Sequence, residues 1–176
     1  MILRLILAAT VALGPPQTLQ TSPPSTVIPV TLNTLVTLCA PHVAPVTSLA
    51  IIKVESGGDP WAIGDNDARH AYFPRSYADA VALARDLLAR GHNIDAGLMQ
   101  VNSGNWTTYG LTPETVFDPC TNVNAGAAIL SRSYRTAIHY YSGREALFHA
   151  FEIYNSGRAN GAWRYANAVW NAGLSL

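Results

Sequence analysis

Apolar residues in this chain recur mostly at helical spacing. Leu32, Leu35, Val36 and Cys39 fall on one face of a helix that Pro41 ends. A second helix is predicted from about Pro45 to Ser56; Gly57 and Gly58 stop it, and Pro60 forbids its resumption. Ser76 with Asp79 three residues on reads as a capping box. It opens a helix whose apolar face is Tyr77, Ala80, Val81, Ala84 and Leu88, closed by Gly91. Asp118-Pro119 predicts the start of a long helix, because proline at the first helical position lacks only an N–H that would have no partner there. Its stripe is Val123, Ala127, Leu130, Tyr134 and Ile138. Leu147, Ala150, Phe151 and Tyr154 define the next helix, which Asn155-Ser156-Gly157 terminates. Trp163, Ala166 and Trp170 mark a last one over about 160–172. Residues 59–75 read as irregular, 92–103 as a short strand or hairpin, and Thr112-Pro113-Glu114 as a helical turn. The expected fold class is mainly α, with one small β or irregular element in the middle.

The first residues follow another pattern. A short basic start, Met1 to Arg4, leads into an apolar run from Leu5 to Leu13 that Gly14-Pro15-Pro16 breaks. That run has the length of a signal-peptide core and is too short to span a bilayer as a helix. Cleavage fits the small residues of Thr10-Val11-Ala12 or of Ala12-Leu13-Gly14, the latter hindered by Pro15. Five prolines among Thr, Ser and Gln make 15–30 an extended linker. The expected organisation is a signal segment over 1–14, the linker over 15–30 and one domain over 31–176, in a periplasmic protein without a stable membrane span.

Composition narrows the function. With 49% hydrophobic and 12% charged residues the chain can build a core. Net charge is zero and no Lys/Arg run stands out, so no nucleic-acid partner is expected. His42, His70, His92, His139 and His149 show no ligand spacing, so neither a metal nor another cofactor is expected. Cys39 and Cys120 are too few for a zinc site. They are either two buried thiols or, if the chain is exported, one disulfide.

Among candidate chemical groups, Glu55 comes first. Ile51 and Ile52 are its helical neighbours, so its carboxyl rises from an apolar face at the negative end of a helix. Both surroundings favour the neutral acid, the form that can protonate a leaving oxygen. Gln100, in Gly97-Leu98-Met99-Gln100-Val101, offers a donor and an acceptor suited to sugar hydroxyls or an acetamide. Tyr154 continues a buried helix face, and its hydroxyl needs a partner there. Trp61, Trp106 and Tyr109 could stack on pyranose rings or simply pack in the core.

Taken together these segments resemble a known family. Val54-Glu55-Ser56-Gly57-Gly58-Asp59-Pro60-Trp61-Ala62-Ile63 resembles the catalytic segment of the soluble lytic transglycosylases, relatives of goose-type lysozyme. Gly97 to Asn102 resembles their second motif and Tyr154-Asn155-Ser156-Gly157 their third, in family order. Leu38-Cys39, Gly91 to Asp95 and Phe117 to Asn122 look like the subgroup that accompanies type IV secretion and conjugation systems. The resemblance covers roughly residues 35–172. One small departure is Glu152-Ile153, where small residues are usual before the tyrosine.

The resemblance implies a helical, lysozyme-like fold with a sugar cleft, and peptidoglycan strands as the partner, with type IV secretion components as further partners. Glu55 would be the sole acid/base. Ser56 would orient sugar or glutamate, Gln100 would contact substrate, Tyr154 would hydrogen-bond Glu55, and Asn155 would belong to the same substrate-binding motif. The implied reaction cleaves the MurNAc-GlcNAc β-1,4 bond and leaves a 1,6-anhydro product. Two rivals stand beside it. One is a hydrolytic lysozyme in which Asp65 or Asp95 activates water. The other is a catalytically idle glycan-binding scaffold of a secretion machine.

Overall fold

The computed structural model describes residues 31–176; the expected signal segment and linker lie outside the described residues. The first two helices form where the apolar spacing places them. Helix α1 (Leu32–Cys39) is capped by Thr31, whose side chain accepts the Thr34 N–H. Helix α2 (Pro45–Glu55) starts on its proline and ends on Glu55.

A four-stranded antiparallel sheet follows, in the order β2-β1-β3-β4. Its strands are β1 (Ile63–Asp65), β2 (His70–Tyr72), β3 (Ile94–Ala96) and β4 (Val101–Asn102). Strand β1 is therefore central, with Gly64 opposite both Ala71 and Asp95. Two of these strands fall in 59–75, the segment expected to be irregular. Strands of three residues are too short to display a period-two alternation, and β2 is largely exposed. The expected hairpin over 92–103 is present as β3 and β4.

Helix α3 (Tyr77–Ala89) crosses over between β2 and β3, and Ser76 and Asp79 form the expected cap. Tyr77, expected on its apolar face, is exposed and donates its hydroxyl to the Glu114 carbonyl instead. After β4 a single 3-10 turn at Ser103–Asn105 leads into the short α4 (Trp106–Tyr109). Helix α5 (Pro119–Ala137) is capped by Asp118, which accepts the Thr121 N–H at 2.8 Å. Helices α6 (Gly143–Ser156) and α7 (Trp163–Leu174) complete the chain.

Two buried clusters result. One lies among α1, α2, α5, α6 and α7, around Val36, Ile51, Ile52, Val123, Leu130 and Phe151. The other lies beneath the sheet, around Ile63, Leu87, Ile94, Val101, Trp106 and Phe117. The last positions of the predicted α5 stripe, Tyr134 and Ile138, overrun the first cluster and are exposed. Cys39 and Cys120 form a disulfide with their Cα atoms 5.3 Å apart, tying α1 to the start of α5. This decides the question that composition left open. Closing a loop with a sequence separation of 81 stabilises the fold by about 4.5 kcal/mol in the chain-entropy model. None of the described helices is long and apolar enough to cross a membrane. The mainly α, lysozyme-like architecture with a small sheet is the one expected.

Candidate active site

A cleft of about 590 Å³ runs between the helical cluster and the sheet. Glu55, Asp95, Gln100, Tyr109, Tyr154 and Asn155 are among its walls. Glu55 enters from the last residue of α2, three and four residues after the buried Ile52 and Ile51, one helical turn back. Burial is the main reason its carboxyl is pushed up from the ordinary value of 4.5 to about 7. A hydrogen bond from Tyr165 works against that rise, and the nearby Asp95 charge adds to it. Near neutral pH a substantial share of the molecules therefore keeps Glu55 as the neutral acid.

The tyrosine that serves Glu55 is not the expected one. Tyr165 of α7 donates its hydroxyl to Glu55 Oε1 at 2.5 Å. Tyr154 instead donates to the Met99 carbonyl at 2.7 Å, so its hydroxyl anchors the second motif's loop to α6. The expected Tyr154–Glu55 bond is thus corrected: Tyr154 has its one proton committed to backbone. Burial above all, then the charge of Glu55, pushes both tyrosines above their ordinary range. Both hydroxyls consequently stay protonated as donors.

Of the two roles expected for Ser56, its hydrogen bonds fit the orienting of Glu55 rather than of sugar. Lying one residue beyond Glu55, it turns away from the cleft lining. Its Oγ donates to the Leu98 carbonyl at 2.8 Å and accepts the Gly58 N–H at 3.1 Å. It orients Glu55 indirectly, by locking the helix end to the second motif. Gln100 does line the cleft, but both donors of its amide are spent internally, on the carbonyls of Ala62 and Gly97 at 2.9 Å each. Its carbonyl oxygen makes no hydrogen bond among the described residues, which leaves an acceptor rather than a donor-acceptor pair. Asn155 lines the cleft and is exposed.

Two features hold the second motif in shape. Gly97 sits at φ +77, and a Cβ there would collide with the Asn122 side chain and lie 2.9 Å from the Val116 carbonyl. The buried Asn122 accepts the Met99 N–H and donates to the carbonyls of Ala96 and Val116, all at 2.8 Å. Only a glycine lets the backbone come this close to that amide.

A model of the transglycosylase SLT domain matches residues 35–171, most of the chain. The chain belongs to the SLT transglycosylase family. Among curated proteins, the type IV secretion system protein virB1 of Brucella abortus (strain 2308) is 43% identical over 128 residues, covering 72% of this chain and 54% of that protein. Protein virB1 of Agrobacterium fabrum is 38% identical over 119 residues, 68% of this chain and 49% of that one. The virB1 of Rhizobium radiobacter is 37% identical over 143 residues, 78% and 59%. The chain spans about half the length of the curated relatives it matches. No solved structure matches it.

The acids that could assist Glu55 in this SLT domain separate cleanly. Asp65 is buried away from the cleft lining, where its Oδ1 accepts the N–H groups of Asp67 and Ala68 and its Oδ2 meets His92 Nδ1 at 2.8 Å. These bonds, the Ala68 N–H foremost, hold its carboxyl below the usual range. Asp65, Asp67 and His92 bring ligand atoms within 4.8 Å of one another, a grouping their sequence spacing does not reveal. Their hydrogen bonds, including Asp67 Oδ2 to the Asn93 N–H at 2.6 Å, account for them as a clasp between β1 and the end of α3. Asp95 does line the cleft. Its two oxygens accept from Asn66 at 2.9 Å and Asn102 at 2.8 Å, and burial pushes its carboxyl up. Of the aromatic candidates only Tyr109 lines the cleft; Trp106 is buried, its indole donating to the Val101 carbonyl, and Trp61 packs against the second cluster.

Sequence reasoning missed Tyr165 and Asn66, and it quoted Asn102 and Asn122 only as the ends of family-like segments, without a role. A signal existed for Tyr165: with Val169 and Ala172 it falls at i, i+4 and i+7, and that face, shared with Ala166, is the buried one. The expected markers Trp163 and Trp170 are exposed and half-buried. The asparagines had no periodic signal, since each acts through a turn or a neighbouring strand.

Proposed function

We propose that this domain is a peptidoglycan lytic transglycosylase in which Glu55 is the one acid/base. The observation that carries the reading is a neutral-leaning carboxyl held inside a polar cleft by a tyrosine donor. Glu55 protonates the oxygen bridging MurNAc to GlcNAc, and the C1–O bond breaks. The substrate's own N-acetyl oxygen closes on C1 to hold the positive charge. Glu55, now a carboxylate, takes the proton of the muramic 6-hydroxyl as that oxygen bonds to C1 and displaces the acetamide. The product ends in a 1,6-anhydro sugar, and no water is consumed. Tyr165 keeps the carboxyl in register through both proton transfers. The asparagines around Asp95, with Gln100 and Asn155, supply polar contacts for the glycan.

The setting we propose is supported by the likeness to the type IV secretion system protein virB1. We place this domain in the periplasm, where the Cys39–Cys120 disulfide persists, opening the wall locally for a secretion or conjugation apparatus. One observation favours a second reading: Asp95 shares the cleft with Glu55 and could activate water, as in a hydrolytic lysozyme. Asp65 is removed from that role by its burial and its bonds. Release of dye from labelled sacculi tests the enzyme itself. Wild type should release it and Glu55→Gln should lose essentially all release; equal release by the two proteins would remove Glu55 from the acid/base role, and no release by either would return the domain to a glycan-binding scaffold.

A further inference from the structure

Glu152 is the residue that departs from the family-like third motif, and it is buried, with 1% exposure. It is not among the residues that line the cleft. Its Oε2 lies 2.7 Å from His149 Nδ1 one turn back along α6 and accepts the Asn160 N–H at 2.8 Å. The imidazole of His149 is stacked on Tyr141 with ring centroids 3.7 Å apart, and Asn160 Nδ2 reaches the Tyr141 hydroxyl at 3.3 Å. These four residues join the approach to α6, α6 itself and the loop over 157–162.

That loop delivers α7, and α7 delivers Tyr165 to Glu55. Helix α7 has no side-chain cap of its own, since Ala162 stands at its N-cap. Asn160 takes a left-handed φ of 60, a conformation that asparagine holds at a smaller cost than most non-glycine residues. The bond from its N–H to Glu152 opposes that cost. A buried glutamate side chain held by a histidine and a backbone N–H is more than packing alone would need, since burying a polar group is unfavourable unless it is hydrogen-bonded.

We propose that Glu152, supported by His149, is a positioning residue for the active site: it pins the 157–162 loop so that α7 presents the Tyr165 hydroxyl to Glu55. This rests on the reading of Glu55 as the acid. The groups facing Glu55 are Tyr165, Tyr154 and Asp95, and Glu152 touches none of them, so its influence must pass through α7.

The test uses the full chain on purified sacculi, with pH-rate profiles of Glu152→Met, Glu152→Gln, Tyr165→Phe and the Met/Phe double variant, beside Glu55→Gln. Methionine keeps the volume and removes the acceptor; glutamine keeps an acceptor. Glu152→Met should lower kcat by roughly ten- to a hundredfold with KM little changed, the scale of a small misplacement in an active site. Its alkaline limb should move to higher pH, as in Tyr165→Phe, because both lose the hydrogen bond that holds the Glu55 carboxyl down. Glu152→Gln should recover most of the rate, and the double variant should be no slower than Tyr165→Phe alone. Where Glu152→Met does not fold, His149→Phe keeps the ring stacked on Tyr141, removes the donor, and should show the same alkaline shift. A loss that only tracks the folded fraction, an unmoved limb, or multiplying effects in the double variant would overturn the inference. An active Glu55→Gln would instead overturn the reading beneath it.

Discussion

Replacing Glu55 with glutamine should destroy activity and stabilise the protein, and the size of the gain follows from the site. Below pH 4.5 the carboxyl is neutral in both the folded and the unfolded chain, and it distinguishes neither. As pH rises, the unfolded chain releases its proton first, whereas the folded chain holds it to about 7. The folded state binds more protons across that window, so wild-type stability falls as pH rises through it and levels off above it. The shift from 4.5 to about 7, at 1.36 kcal/mol per unit, makes the loss about 3 kcal/mol above neutrality. Glutamine has no proton to lose and can still accept the Tyr165 hydrogen bond. Glu55→Gln should therefore match wild type near pH 4.5 and exceed it by about 3 kcal/mol at pH 8, or roughly 6–12 °C in Tm for a domain of this size. Urea titrations at pH 4.5 and 8, with the disulfide intact, measure the difference directly. A variant less stable than wild type at pH 8, or a gain independent of pH, would refute the burial argument on which the proton-donor role rests.

Other outcomes follow from single contacts. Asp95→Asn removes the negative charge that raises the Glu55 carboxyl, so the alkaline limb of the pH-rate profile should move to lower pH, opposite to Tyr165→Phe. Gly97→Ala forces a Cβ into Asn122 at a positive φ and should cost about 3 kcal/mol or more in urea unfolding, with activity lost alongside. Ser48 is fully buried in α2 and its hydroxyl has no partner among the described residues, so Ser48→Ala should raise stability by about 1 kcal/mol and the melting temperature with it. Reduction of Cys39–Cys120 should lower stability by about 4.5 kcal/mol, the chain-entropy value for its loop, as read by urea unfolding with and without reductant.

The long helices were legible because their cores repeat. Val123, Ala127 and Leu130 of α5, or Ala150 and Phe151 of α6, face one cluster and must recur at helical spacing. The caps at Ser76 and Asp118 were legible for a local reason, a side chain that bonds an N–H three residues ahead. Strands β1 and β2 were not, because three residues cannot show a period and their pairing is decided across the sheet. The site divides along the same line. Glu55 could be placed from Ile51 and Ile52 because helical neighbours are fixed by sequence distance. Its donor could not, because Tyr165 stands 110 residues away and Tyr154, nearer to the motif pattern, spends its hydroxyl on Met99. Glu152 read as a departure with no stated purpose until Asn160, eight residues on, proved to be its partner.

The most direct test of the lone-acid account is the mass of the products. Peptidoglycan digested by the wild-type chain should give muropeptides ending in 1,6-anhydro-MurNAc, and Glu55→Gln should give none. Products heavier by one water and lacking anhydro ends would contradict the account and hand the second step to Asp95.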